Sequence, residues 1–175
     1  MAESAPSEDS FAPPADPIEF FTAPPSEAVM VRAEAVGFDD IGELFDRVFS
    51  ILPGVIERSG VDLAGAPYAL YTRMADDGAD FDVEVGFPVT GFLGADIETS
   101  GLVVAAGSLP GGSLARLTHF GGYEGLPQTW ERFVNGIREA SRELGGPVWE
   151  TYLSNPAETE DSSQLRTDLF AVVSP

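Results

Sequence analysis

The sequence predicts an α+β fold built from two β-α-β-β repeats, at about residues 28–90 and 113–174. Two apolar stripes at helical spacing and several runs of alternating apolar residues indicate this class. The first stripe contains Ile41 and Phe45, and a similar stripe with Leu126 and Trp130 follows about 85 residues later. Matching order and spacing in the halves indicate an internal duplication, so we expect two pseudo-twofold-related units.

The first half reads as strand, helix, strand, strand. A strand is predicted over 29–36, and a helix follows an Asp39 or Asp40 cap and reaches Leu52. Pro53-Gly54 either kinks or interrupts this helix, and Gly60 ends its continuation. The remaining strands are predicted over 68–74 and 81–89, on either side of an Asp-Asp-Gly turn.

The second half repeats this order. A strand is predicted over 113–119, and Pro127 suits the first position of the following helix. The apolar stripe extends to Leu144, where Gly145-Gly146-Pro147 stops the helix. Two last strands are predicted over 148–153 and 165–173.

A central groove follows from this architecture. We expect each unit to pack one helix on one face of a three-stranded antiparallel sheet, with the helices on one side. Two such units related by a pseudo-twofold axis leave a concave junction, and concave junctions are where small ligands usually bind.

The N-terminal segment differs from the rest. Residues 1–26 are rich in Pro, Ala and Ser, with several acidic residues and no basic one. We expect a disordered acidic tail before a domain of residues 27–175. Ile18, Phe20 and Phe21 are the exception: they either dock on the domain as a short strand or form an apolar spot within the tail.

Composition narrows the class of partner. The chain has 29 acidic residues against nine arginines, and its net charge of -20 opposes direct binding to nucleic acid. With no cysteine and one histidine, we expect no metal site and no cofactor. No apolar stretch approaches the roughly 20 residues that span a bilayer, and no signal peptide is recognisable, so we expect a cytoplasmic protein without a membrane partner.

Trp149-Glu150-Thr151-Tyr152 places a carboxylate in an aromatic strand. Alternation puts Glu150 and Tyr152 on one face and Trp149 on the other. Glu150 lies either on a solvated sheet face or in an apolar pocket, where it would attract a cationic or electrophilic molecule. In the second case Tyr152 lines the groove, and we expect Trp149 to pack under the helices.

Other aromatic residues are candidates for the same groove. Tyr68 and Tyr71 lie on opposite faces of the matching strand in the first half, so one of them faces the groove or both fill the core. Phe87 shares its strand with Glu84 on the opposite face, so at most one of the two lines the groove. Tyr123 precedes the second helix as a pocket residue or a structural staple. The lone histidine, His119, suits a hydrogen-bonded structural role.

Five motifs, in order, resemble the GyrI-like small-molecule-binding domain, the effector-binding domain fused to AraC-type and MerR-type regulators. They are Asp40–Phe45, Pro67–Tyr71 with Asp82–Val89, Leu109–Gly112 with His119–Glu124, Trp149–Pro156, and Arg166–Phe170. The resemblance covers about residues 28–175 and implies the duplicated fold, a groove for flat, lipophilic, often cationic molecules, and a pocket carboxylate at Glu150. Gly122 stands where the family often has proline. No helix-turn-helix precedes the domain, so the resemblance is to a stand-alone member.

The resemblance leaves three functions open. The first is a sensor or sequestering protein that binds lipophilic, cationic or flat aromatic molecules through Glu150, Tyr152, Tyr71, Tyr68, Phe87, Tyr123 and Trp149. The second is a hydrolase of cyclopropane-bearing natural products, in which Glu150 is the general base. The third is a protein interaction like that of the family members that inhibit gyrase, for which the acidic surface could mimic DNA. The sequence does not indicate an oligomeric state.

Overall fold

A computed structural model of the chain describes residues 17–174. These residues form ten strands and two α-helices. The first half contains β1 (Glu19–Ala23), β2 (Ser26–Gly37), α1 (Ile41–Ser59), β3 (Asp62–Leu63), β4 (Tyr68–Met74) and β5 (Asp80–Thr90). The second contains β6 (Ile97–Thr99), β7 (Leu102–Leu109), β8 (Gly112–Phe120), α2 (Leu126–Glu139), β9 (Glu143–Tyr152) and β10 (Arg166–Ser174).

The strands pair antiparallel in the order β1-β8-β10-β9-β4-β5-β2-β7-β6, and β3 pairs with β5. The first repeat contributes β4-β5-β2 and the second contributes β9-β10-β8, so the two repeats run outwards from a shared centre. At that centre β4 pairs with β9, and Ala69 lies opposite Glu150. The predicted α+β class, with two pseudo-twofold-related β-α-β-β repeats, is confirmed.

The outermost strands are exchanged between the repeats. β1 precedes the first repeat but pairs with β8 of the second, and β7 precedes the second repeat but pairs with β2 of the first. The two connections pack closely against each other, since a Cβ atom at Gly111 would collide with the backbone of Pro24 and Pro25. Each connection has only two residues, Pro24-Pro25 and Pro110-Gly111, so the sheet curls enough to bring β2 and β7 close to β1 and β8.

Both helices lie on the same face of the sheet. Val48, Leu52 and Val55 of α1 share a core with Val83 and Val85 of β5. Phe133 and Ile137 of α2 share a second core, with Leu117, Leu169 and Ala171. The opposite face has a third core, with Met30, Tyr68, Leu70 and Trp149 among its members. The boundary between the two helix-side cores falls over the β4–β9 junction.

The structure confirms Gly60 as the end of α1 and corrects the predicted end of α2. α1 continues through Pro53 without interruption to the Gly60 cap, and Pro53 is exposed, so water can satisfy the carbonyl group that a proline leaves unpaired. α2 ends at Glu139 rather than near Leu144, since Ser141 adopts a φ of 59° that a helix does not allow. Leu144 instead pairs with Val173 in the long strand β9.

The predicted tail boundary also changes. Glu19–Ala23 pair with residues 112–116 of β8, so the folded region begins before residue 27 and the docked strand is the correct alternative for this segment. Ile18 and Phe20 cover the core beneath α2. Residues 1–16 lie outside the described residues. Within residues 17–174, neither helix combines the length and apolar character of a bilayer-spanning segment.

Candidate functional site

Glu150 lies on the helix-bearing face of β9, with a relative exposure of 6%. The indole N–H of Trp130, on α2, donates to Oε1 at 2.7 Å. The Tyr152 hydroxyl donates to Oε2 at 2.7 Å, and the Tyr71 hydroxyl, on β4, donates to the same oxygen at 3.5 Å. Three elements therefore direct donor groups onto one carboxylate at the junction of the repeats.

Glu150 differs from the other buried carboxylates of residues 17–174 in lacking a counter-ion. Arg32 Nη2 lies 2.5 Å from Glu84 Oε1, and Arg116 Nη1 lies 3.8 Å from Asp168 Oδ2. No arginine of the described residues forms an ion pair with Glu150. A buried carboxylate without a counter-ion leaves its desolvation cost incompletely offset, and a cation from outside the chain would offset it.

The tyrosines around Glu150 are held in the neutral form. Burial raises the pKa of Tyr152 and of Tyr71 well above that of free tyrosine, and the negative charge of Glu150 raises both further. The same two causes raise the pKa of Tyr123. At neutral pH these hydroxyls are hydrogen-bond donors, as the contacts of Tyr71 and Tyr152 with Glu150 require.

Aromatic rings extend from Glu150 in two directions. Along α1, successive ring centroids lie 6.0, 5.7, 5.6 and 5.8 Å apart in the series Tyr123, Tyr152, Phe45, Phe49, Phe87. On the β4 side, centroids lie 5.4 and 5.1 Å apart in the series Tyr71, Phe81, Phe38. These tilted and edge-to-face contacts surround the carboxylate with aromatic rings, which are apolar but have electrostatic quadrupoles.

The structure brings together only part of the predicted set. Tyr71, Tyr152 and Tyr123 gather at Glu150, and Phe87 lies at the far end of the aromatic series. Tyr68 is fully buried on the opposite face. It lies three positions before Tyr71, and strand residues an odd number of positions apart have their side chains on opposite faces. Trp149 also lies on that face, stacked on Phe170 at 5.0 Å, so the expectation that it packs under the helices is wrong.

His119 links the turn that carries Tyr123 to α2. Its Nε2 lies 2.9 Å from the carbonyl oxygen of Gly122, and its Nδ1 lies 2.8 Å from Thr129 Oγ1. Gly125 accommodates the ring, since a Cβ atom there would lie 2.9 Å from His119 Cε1. Both ring nitrogens are thus engaged in holding the turn that carries Tyr123.

Trp130 and Phe45 join the candidate site, although their spacing in the sequence indicates only the apolar stripes of the helices. Trp130 is the indole donor to Glu150, and Phe45 contacts the Tyr152 ring. The alignment of the repeats already equated these two positions. Two large aromatic residues at equivalent helix positions facing a central junction were the available signal.

A family model described as the GyrI-like small molecule binding domain matches residues 16–173. The chain belongs to this family. The match includes β1, in agreement with the docking of that strand on β8. No match was found among curated proteins.

Solved structures share the fold at low identity. The crystal structure of the EcmrR C-terminal domain is 16% identical, with a TM-score of 0.74 over 90% of this chain and 97% of that one. In a cryo-EM structure of an EcmrR–DNA complex (18% identical, TM-score 0.73), the alignment covers 90% of this chain but 57% of the EcmrR chain.

Two further structures are similar. One is SAV2435 bound to tetraphenylphosphonium, 12% identical, with a TM-score of 0.61 over 91% of this chain and 94% of that one. The other is a hydrolase from Listeria innocua, 16% identical, with a TM-score of 0.61 over 95% of this chain and 96% of that one. At these identities the likeness establishes the fold that this family member shares with them.

Proposed function

We propose that this family member binds lipophilic organic cations at Glu150, between α1 and α2. The observation that carries the proposal is a buried carboxylate without an arginine partner, surrounded by aromatic rings. Aromatic faces attract cations and flat rings, and the carboxylate adds selection for positive charge. The net charge of -20 raises the local concentration of cations around the protein.

The rim of the site is formed by Tyr123. Its side chain is 41% exposed and contacts Tyr152, which itself reaches Glu150. A ligand that enters from solvent meets this ring first, and displacing it opens a path to the carboxylate. The family description supports a small molecule as the ligand, and the similar structure of SAV2435 bound to tetraphenylphosphonium supports a cation of this kind.

Glu150→Gln should weaken tetraphenylphosphonium binding by about tenfold to a hundredfold, because roughly 1.4 to 3 kcal/mol of charge attraction is lost at an effective protein dielectric. Isothermal titration calorimetry gives the affinity, and quenching of tryptophan fluorescence is a second readout of binding. The affinity for neutral triphenylphosphine oxide should fall much less.

Glu84→Gln is the matched control, since Glu84 is also a buried carboxylate but lies on the opposite sheet face with Arg32. It should leave the affinity for the cation unchanged. Equal losses for the cation and the neutral compound in Glu150→Gln, or equal losses in the two variants, would contradict the proposal.

A second candidate is hydrolysis of an electrophilic small molecule. The Tyr71 and Tyr152 hydroxyls both donate to Glu150, an arrangement that would position this carboxylate as a general base. One of the similar structures is that of a hydrolase. Water directed by Glu150 would add to the electrophilic carbon of a cyclopropane ring, which opens and takes up the proton.

Mass spectrometry of such a compound should show a hydrated product with the wild-type protein and none with Glu150→Gln. Stoichiometric binding without product would reject this candidate.

A further inference from the structure

Thr167 has a buried hydroxyl without a partner close to the Glu150 site. Its relative exposure is 0%, and its Oγ1 forms no hydrogen bond within residues 17–174. Thr167 lies opposite Tyr152 on one neighbouring strand and opposite His119 on the other. The Tyr152 hydroxyl is taken by Glu150, and both ring nitrogens of His119 are engaged. A buried, unpaired hydroxyl destabilises the free protein, so its presence calls for a compensating role.

The equivalent position of the first repeat shows that the fold does not need this hydroxyl. Ala33 and His119 are each the eighth residue of their strands, β2 and β8. Directly paired residues on neighbouring strands form a row that starts at each of these positions. In the first repeat the row is Ala33, Val83 and Tyr71, and in the second it is His119, Thr167 and Tyr152. Val83, the counterpart of Thr167, is likewise 0% exposed. Valine and threonine have nearly the same shape, so the two positions differ chiefly by one hydroxyl group.

The same comparison divides the site into a polar and an apolar half. The second repeat contributes Glu150, Trp130 and Thr167, and the first repeat has Ala69, Phe45 and Val83 at the equivalent positions. Tyr71 and Tyr152 are equivalent to each other and both donate to Glu150. A bound molecule would therefore direct its polar groups towards β9 and β10 and its apolar rings towards α1.

We propose that Thr167 is a specificity-determining residue of the Glu150 site, where its hydroxyl forms a hydrogen bond with a polar substituent of the ligand. The ligand class is then a lipophilic cation that carries a hydroxyl, carbonyl or amide group, rather than a pure hydrocarbon cation. Residues directly opposite each other on neighbouring strands have Cβ atoms about 5 Å apart, which places this hydroxyl one strand away from Tyr152. This inference rests on the proposed function.

The test compares Thr167→Val with its matched control, Val83→Thr. Two kinds of probe are used: tetraphenylphosphonium, which has no hydrogen-bonding group, and its ortho, meta and para hydroxymethyl derivatives. Wild type should prefer at least one hydroxymethyl isomer. Thr167→Val should lower the affinity for that isomer by about threefold to tenfold and leave that for tetraphenylphosphonium unchanged, because one hydrogen bond is removed without a change of shape. Val83→Thr is compared for stability alone.

Thermal melting supplies an independent readout. Thr167→Val should melt at the same temperature as wild type or higher, whereas Val83→Thr should melt lower because it buries a new unpaired hydroxyl. A lower melting temperature for Thr167→Val would show that the hydroxyl has a structural partner and would overturn the inference. So would the absence of any preferred isomer when tetraphenylphosphonium itself binds. Failure of every cation to bind wild type would instead reject the proposed function, and this inference with it.

Discussion

Single residues around Glu150 show how burial and one negative charge act together. Tyr71 and Tyr152 come from different strands, yet both place a hydroxyl on the same carboxylate oxygen. Burial raises the pKa of all four tyrosines, with further contributions from Glu84 at Tyr68 and from Glu150 at the other three. The alternation of strand residues correctly predicts that Glu150 and Tyr152 share a face. Which of Tyr68 and Tyr71 joins them depends on how β4 pairs with β9, which strand alternation does not determine.

The raised pKa values of the tyrosines predict that the protein loses stability at alkaline pH. Their folded-state pKa values lie above the unfolded value near 10, so the folded protein retains protons that the unfolded chain releases. Stability is therefore complete below about pH 10 and falls above it, by about 1.4 kcal/mol per pH unit for each buried tyrosine. The chain has neither lysine nor cysteine, so tyrosine alone dominates titration in this range.

Urea unfolding between pH 8 and 11, with absorbance at 295 nm to count tyrosinates, measures this effect. The folded protein should show few tyrosinates at pH 10.5, and the unfolded protein in urea should show most of its four. A folded protein whose tyrosines ionise near pH 10 would contradict the burial of these hydroxyls at Glu150 and Glu84.

Among the elements, the central strands position the candidate site, and close packing on the sheet face opposite the helices holds these strands in place. Gly86 of β5 lies between Met30 and Tyr68, where a Cβ atom would lie 2.8 Å from Met30 Cα and would collide with the Val29 carbonyl oxygen. Sequence periodicity predicts β4, β5 and α1 closely, because their apolar residues alternate or recur as their burial requires. It does not predict β6 and β7, whose strand form depends on pairing of β7 with β2, or the end of α2.

Gly86→Ala should lower the free energy of unfolding by about 2 to 3 kcal/mol, since the added methyl group meets backbone atoms that cannot move independently. Gly42→Ala, on the open side of α1, is the control and should raise it by about 0.5 to 1 kcal/mol through helix propensity. Urea denaturation of both variants measures the difference. Similar effects of the two substitutions would show that β2 and β5 do not approach as closely as described.

For the whole molecule, the exchange of β1 and β7 ties the repeats into one unit. β1 belongs to the first half of the sequence but covers the core of the second half with Ile18 and Phe20. Arg116 of β8 also forms an ion pair with Glu19. The stability of the second repeat therefore depends on residues about 90 positions earlier in the chain.

Deletion of residues 1–23 should destabilise the whole domain by several kcal/mol, because it uncovers this core and leaves β8 as an unpaired edge. Deletion of residues 1–16, the part of the predicted tail before β1, is the control and should leave the unfolding midpoint unchanged. Chemical denaturation and amide hydrogen exchange of β8 measure both effects. An unchanged midpoint after the longer deletion would show that β1 contributes little.

The sequence by itself determined the fold class, the duplication and the shared strand face of Glu150 and Tyr152. These follow from local periodicity, from repetition along the chain, and from a family resemblance carried by short motifs. Only the tertiary structure decided which residues meet at Glu150 and that Arg32 and Arg116 pair with other carboxylates. It also decided that the Thr167 hydroxyl has no hydrogen-bond partner among residues 17–174. The reason is that counter-ions and hydrogen-bond partners come from strands and helices far apart in sequence, and their distances depend on strand register and on the exchange of edge strands.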